Sequence, residues 1–157
     1  MARLVELGHT TGGEPHQDLI YSLPGIVLES VGPMRHEVKV PFHDSQVKGH
    51  VVLIQTGWDG RCGTDAYWEP GPVLSEDVIF RLVRSGARLA GVDFWVIPNA
   101  TDAADVQTRL IVDGKIPIVE NLCNLSILPR WNFRFCVVPL QATPGSPQMV
   151  RAFAEIL

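Results

Sequence analysis

Three short apolar runs alternate with two helix-like stretches in the middle of this chain, and this order limits the folds that are open to it. The apolar runs cover residues 51–55, 88–92 and 116–119, and a glycine or an acidic residue follows each of them closely. Strands that alternate with helices pair in parallel through right-handed crossovers. We therefore predict an α/β fold, a single-domain mixed sheet with βαβ crossovers.

The two helices are predicted from capping residues and from the spacing of apolar side chains. Ser75 can cap the first helix, two acidic residues follow it, and Gly86 can end the helix. The second helix is predicted over residues 102–113. Further strands are predicted over residues 3–7 (as an edge strand), 26–31, 37–40, 133–140 and 149–154.

The composition is that of one globular domain covering residues 1–157. Hydrophobic residues make up 46% and charged residues 19% of the chain, which is typical of a folded domain. The net charge of −4, with no basic cluster, argues against nucleic acid or an anionic membrane as a partner. The first residues do not resemble a secretory signal, and no stretch approaches the roughly 20 apolar residues of a membrane span. A cytoplasmic protein is expected.

Four stretches carry a resemblance to a known family: VVLIQTGWD (residues 51–59), GTDAY (63–67), LAGVD (89–93) and IPIVENLCNL (116–125). They resemble the cyclase family, whose members include bacterial metal-dependent kynurenine formamidases and isatin hydrolases. The resemblance is strongest over residues 51–157. It implies the swivelling β/β/α fold of that family and a homodimer.

The metal site of the cyclase family is missing from this sequence. The family signature His-x-Gly-Thr-His-x-Asp-x-Pro-x-His, which supplies most of the metal ligands, is absent between Leu23 and Val51. We interpret the chain as a member shortened near its N-terminus. Thr108 stands where the family has another histidine ligand, and a hydroxyl cannot replace imidazole on a transition metal. We predict neither a metal nor another cofactor.

Glu120 is predicted to lie at the carboxyl end of the strand over residues 116–119. It matches the metal-binding glutamate of the family and is the first candidate catalytic residue. Buried and unpaired, it would have a raised pKa and could transfer protons. Alternatively it is an exposed carboxylate, or one paired with Arg109 or Arg134. His9 is the second catalytic candidate, because a glycine-rich turn after the first strand could bring it to a pocket. His9 and His16 could also rebuild a metal site with Glu120.

Aromatic residues follow several of the predicted strands. Open α/β sheets bind ligands at the carboxyl ends of their strands, so these rings could line a pocket for a planar substrate. Packing in the core or at a subunit interface is the alternative. The residues predicted to bind substrate are Trp58, Tyr67, Trp68, Trp95, Thr108 and Arg109.

We interpret the chain as a metal-independent, cyclase-like enzyme of secondary metabolism. It would catalyse acid/base-assisted ring closure, ring opening or dehydration of a small aromatic or conjugated metabolite. Without a Lewis acid the hydrolysis of an ordinary amide is harder, whereas cyclisation gains from proximity. One alternative is a non-catalytic homologue that binds a small molecule or a partner subunit. Another is a metal-dependent amidohydrolase with rearranged ligands.

Overall fold

The computed structural model describes residues 3–10, 21–32, 37–95, 116–140 and 149–157. Within these ranges the chain forms nine strands, two α-helices and three 3-10 helices. The strands are β1 (Arg3–Thr10), β2 (Tyr21–Glu29), β3 (Glu37–Val38), β4 (Val51–Gln55), β5 (Val73–Leu74), β6 (Leu89–Val92), β7 (Ile118–Leu122), β8 (Phe133–Pro139) and β9 (Val150–Ile156). The helices are α1 (Asp44–Val47), α2 (Glu76–Arg84), η1 (Trp58–Arg61), η2 (Asp65–Tyr67) and η3 (Leu125–Ile127).

Seven of these strands close into a barrel in the order β1-β7-β6-β4-β2-β8-β9, and β9 pairs with β1. The pairs β2-β4, β4-β6 and β6-β7 are parallel. The other pairs in the barrel are antiparallel. β3 and β5 form a small separate sheet. The predicted mixed sheet is therefore confirmed, and closure covers the edges that an open sheet would expose.

Side chains alternate across the barrel wall and build one core on each side of it. Val51 and Leu53 belong to the cluster inside the barrel. Val52 and Ile54 belong to the outer cluster, together with Leu82 of α2. Successive side chains of a strand point to opposite faces, so this continuous apolar strand serves both cores.

Helix α2 begins and ends where the sequence predicts. The hydroxyl oxygen of Ser75 accepts a hydrogen bond from the Val78 amide at 3.1 Å. Gly86 follows the helix with a φ of 78°, a left-handed conformation that glycine adopts without strain. Neither α2 nor any other helix in the described ranges is long and apolar enough to cross a membrane.

Two sequence-based predictions about strands are wrong. β1 is not an edge strand, because it pairs with β7 on one side and with β9 on the other. Glu120 does not end its strand, because β1 also pairs with Leu122 and so extends β7 to that residue. The sheet is also closed where an open sheet was expected. In each case a distant strand supplies the missing hydrogen-bond partners.

The parallel neighbours β4 and β6 are separated in the chain by helix α2. The second predicted helix, over residues 102–113, lies outside the described residues. β2 begins at Tyr21 and not at residue 26, because residues 21–24 pair with β8.

Candidate functional site

Glu120 lies in the middle of β7, with 6% of its surface exposed. Ile118 packs in the outer core and Val119 in the barrel interior, so alternation places Glu120 on the outer side. Asn121 then takes a left-handed φ of 53°. The alternation is broken there, and Leu122 packs in the interior again. Glu120 is thus a nearly buried carboxylate on a strand of the barrel wall.

The exposed alternative for Glu120 is therefore wrong, because only a small part of the residue reaches solvent. Glu120 takes part in a further interaction within the protein. Of the two arginines considered as partners, Arg134 donates hydrogen bonds to the hydroxyl and the carbonyl oxygen of Ser22. Arg109 lies outside the described residues.

Asn121 connects the Glu120 strand to an aromatic loop. Its backbone amide donates to the carbonyl oxygen of Phe94 at 3.1 Å. Its side-chain oxygen accepts a hydrogen bond of 2.5 Å from the Tyr67 hydroxyl. Burial raises the pKa of Tyr67 well above its usual range, and the nearby carboxylates of Asp93 and Glu120 add to this increase. Tyr67 therefore stays protonated and acts as a hydrogen-bond donor.

A row of three aromatic rings runs from Tyr67 towards solvent. The ring centroids of Tyr67 and Trp68 are 5.2 Å apart, and those of Trp68 and Trp95 are 4.6 Å apart. Both pairs are edge-to-face, a favourable arrangement for aromatic side chains. Trp68 is 59% exposed and Trp95 is 41% exposed. The outer end of this aromatic row is open to a ligand.

Trp58 contacts the inner end of this aromatic row and is buried, with 1% of its surface exposed. Its indole nitrogen donates to the carbonyl oxygen of Tyr67 at 3.1 Å. A Cβ atom on Gly71 would lie 3.0 Å from the indole ring, so a residue without a side chain fits best there. Trp58 therefore packs in the core, as the alternative to substrate binding predicted. A ligand would reach its ring only after a rearrangement.

Asp93 fixes the loop after β4 to the end of β6. It is fully buried, and its carboxylate accepts hydrogen bonds from the Thr56 amide at 2.8 Å, the Thr56 hydroxyl at 2.6 Å and the Gly57 amide at 2.7 Å. Burial raises the pKa of Asp93 to about 6, although the hydrogen bonds from Thr56 and Gly57 act in the opposite direction. Asp93 holds Gly57 in place, and Trp58 follows directly.

The raised pKa of Asp93 predicts a pH-dependent stability. The folded state holds this proton more tightly than the unfolded state, so the contribution of Asp93 to the free energy of unfolding falls as the pH rises from about 4 to about 6. Urea unfolding of the wild type and Asp93→Asn checks this. The stability of the wild type relative to the variant should fall by about 2–3 kcal/mol over that range and stay level above it. A constant difference would contradict the prediction.

The described side chains do not fit a bound metal ion. Within the described ranges no group of three His, Cys, Asp or Glu residues is arranged to hold one. Asp59, the next carboxylate near the site, accepts a hydrogen bond from the Asn124 amide at 3.0 Å. Burial raises the pKa of the Cys123 thiol, which disfavours the thiolate that binds metals.

The structure brings five of the predicted site residues into one region: Glu120, Trp58, Tyr67, Trp68 and Trp95. The backbone of His9 is part of β1, beside the pair that Thr10 forms with Glu120, and the His9 side chain lies outside the described part. Thr108 and Arg109 also lie outside it.

Sequence reasoning missed Asn121, which bonds to Tyr67. The sequence did carry a signal for it. An asparagine follows the candidate acid directly, and asparagine adopts a left-handed backbone more readily than most residues.

Comparisons with known proteins agree with this fold. The family model described as "Putative cyclase" matches residues 32–98. No curated protein sequence matches the chain. Several solved structures share its fold, among them the following three. An isatin hydrolase bound to the product analogue thioisatinate has a TM-score of 0.64 at 19% identity, over 89% of this chain and 61% of that protein.

The second structure is a potential metal-dependent hydrolase with cyclase activity, with a TM-score of 0.64 at 17% identity over 94% of this chain and 76% of that protein. The third is isatin hydrolase A from Labrenzia aggregata bound to benzyl benzoate, with a TM-score of 0.64 at 17% identity over 86% of this chain and 61% of that protein. This chain therefore spans about three fifths of the length of the two isatin hydrolases. The matched segment resembles the cyclase family, and the chain shares the fold of these solved structures.

Proposed function

We propose that this chain is a cyclase- or hydrolase-type enzyme that opens or closes a ring in a small aromatic or conjugated molecule. The observation that carries the proposal is the connection from Glu120 to the aromatic row. The carboxylate is nearly buried, its neighbour Asn121 is bonded to Tyr67, and Tyr67 leads to the exposed rings of Trp68 and Trp95. Asn121 and Tyr67 thus link the Glu120 strand to the exposed rings, and this link supports a site in which Glu120 transfers protons and the rings bind a planar molecule.

Glu120 has the chemistry that a ring opening requires. In the hydrolysis of a cyclic amide, water adds to the carbonyl carbon and the bond from that carbon to nitrogen breaks. The carboxylate accepts a proton from the attacking water and returns it to the departing nitrogen, so the net change is the addition of one water molecule. Ring closure follows the same steps in reverse, and there both reacting groups belong to one molecule.

The aromatic row would orient the substrate. A planar ring can pack on Trp68 and Trp95, since offset and edge-to-face arrangements are favourable between aromatic groups. The hydrogen bond between Tyr67 and Asn121 would fix the backbone next to Glu120. Trp58 would fix Tyr67 through the hydrogen bond from its indole nitrogen. His9, Thr108 and Arg109 remain proposed contributors to the same pocket. The resemblance to the cyclase family further leads us to propose a homodimer.

Isatin is the probe for the proposed activity, because two of the similar structures are isatin hydrolases. We expect the purified chain to consume isatin with the change in absorbance that accompanies opening of its five-membered ring. Consumption should persist after treatment with a chelator. If isatin is left unchanged at high enzyme concentration, the ring-opening proposal fails.

The metal content of the same preparation tests the metal-independent part of the proposal. We expect no stoichiometric transition metal by elemental analysis of the wild type. Zinc or manganese at one equivalent in the wild type, lost in Glu120→Gln, would overturn metal independence and favour a metal-dependent amidohydrolase with rearranged ligands.

A non-catalytic binding protein is the second candidate. The absence of the family's histidine segment from the sequence favours it, because that segment supplies the general acid and base in the family. Tryptophan fluorescence separates the two candidates. Quenching by isatin that is reduced in Trp68→Phe, without any consumption of isatin, would support the binding protein and exclude the enzyme.

A further inference from the structure

A cleft away from Glu120 opens where the parallel strands β2 and β4 end. Its volume is about 330 Å³, and Val27, Glu29, Gln55, Leu128 and Arg130 are among the residues that line it. Glu29 and Gln55 are direct neighbours in the pairing of β2 with β4. The volume is within the range of about 300–1,000 Å³ that is usual for small-molecule sites, and barrel mouths are common places for such sites.

The floor of the cleft is apolar. Val27 and Leu128 belong to the core inside the barrel, and alternation along β2 places Glu29 on the same face as Val27. The Val27 amide donates to the carbonyl oxygen of Arg130 at 3.1 Å. This bond fixes the backbone of Arg130 beside β2, so an acidic and a basic residue line a cleft with an apolar floor.

The two charged residues of the cleft are not bonded to each other. Within the described part of the chain no ion pair joins Glu29 to Arg130. The Arg130 guanidinium lies 5.2 Å from the centroid of the Trp131 ring. Both charges therefore line one cavity and are available to a ligand that carries the two opposite charges.

A second cavity of about 560 Å³ adjoins the cleft and shares Pro41 and Arg130 with it. The other arginine of that cavity, Arg81, is engaged: it donates to the carbonyl oxygen of Phe42 at 2.6 Å and to the carboxylate of Asp44 at 3.1 Å. Because Arg81 is engaged in this way, Arg130 is the arginine lining these two cavities that is available to bind an anionic ligand.

We propose that this cleft binds a small zwitterion of the amino-acid type. Arg130 holds the ligand carboxylate, since a guanidinium and a carboxylate can form two parallel hydrogen bonds. Glu29 holds the ligand ammonium group. Val27 and Leu128 contact the aliphatic side group. None of the residues assigned to ring chemistry lines the cleft, so the inference goes beyond the proposed function and does not depend on it.

A matched set of three ligands tests the inference by calorimetric titration. L-leucine carries both charges, 4-methylpentanoate lacks the ammonium group, and 3-methylbutylamine lacks the carboxylate. We expect saturable binding of L-leucine, and binding about tenfold weaker for each of the other two, because a lost hydrogen bond between charged groups is worth at least that factor.

Variants assign the binding to the cleft. Arg130→Gln and Glu29→Gln should each weaken L-leucine binding about tenfold, and Glu29→Gln should leave 4-methylpentanoate binding unchanged. Arg88→Gln and Glu37→Gln remove exposed charges outside the cleft and should bind L-leucine as the wild type does. Thermal unfolding checks that every variant is folded. Equal affinity for the three ligands, no saturable L-leucine binding, or full affinity in Arg130→Gln would each overturn the inference.

Discussion

We expect Glu120→Gln to lower kcat for the proposed opening of isatin by at least about 100-fold, since general acid/base catalysis contributes about 10²–10⁴-fold. Gln keeps the size of the side chain and much of its hydrogen bonding but cannot accept the proton from water. KM should change little, because the aromatic row and not the carboxylate would hold the ring. Steady-state kinetics over a range of isatin concentrations measures both constants.

Glu37→Gln is the matched control for this experiment. Glu37 is an exposed glutamate in the short strand β3, so the same chemical change there should leave kcat within about twofold of the wild type. Both variants should unfold at similar temperatures. If Glu120→Gln keeps the turnover of the wild type while folded, Glu120 is not the proton-transfer group.

We expect Gly25→Ala to destabilise the fold by about 3 kcal/mol, in the upper part of the usual range for overpacking a core. A Cβ atom on Gly25 would lie 2.9 Å from Cδ2 of Phe133 and nearer still to two other atoms of that ring. Phe133 is 2% exposed within the barrel, so its ring has little room to move. Urea unfolding of Gly25→Ala measures the loss.

Two further variants separate this contact from a general effect of alanine. Gly60 has no atom within 4 Å of an added Cβ and no positive φ, so Gly60→Ala should change the free energy of unfolding by less than about 0.5 kcal/mol. Phe133→Leu makes room beside Gly25, and the double variant should be more stable than the sum of the single changes predicts. Additive losses would show that the Phe133 ring is not the cause.

Elements that depend on neighbouring residues could be predicted from the sequence. β4 has the predicted bounds, because a continuous apolar run can only be buried on both faces. Helix α2 follows from Ser75, from the acidic residues of its first turn and from Gly86. These signals lie within a few residues of the structure that they specify.

The candidate site could be predicted only in part. The family resemblance identified Glu120, and the aromatic residues near predicted strand ends identified Tyr67, Trp68 and Trp95. The role of Asn121 was not predictable, because Tyr67, which donates to it, is 54 positions away in the chain. Trp58 was assigned to the pocket, yet its place in the core depends on how η1 folds against the outer face.

The sequence by itself determined the α/β class, the resemblance to the cyclase family and the identity of the candidate acid. These follow from local patterning and from residues that stand in recognisable order. Only the tertiary structure decided that the sheet closes, that Glu120 is buried in the middle of a strand, and that Glu29 and Arg130 line one cleft. Each depends on pairing between distant segments, as when β1 extends β7 past Glu120. The free energy of such pairing belongs to the whole fold and not to either segment alone.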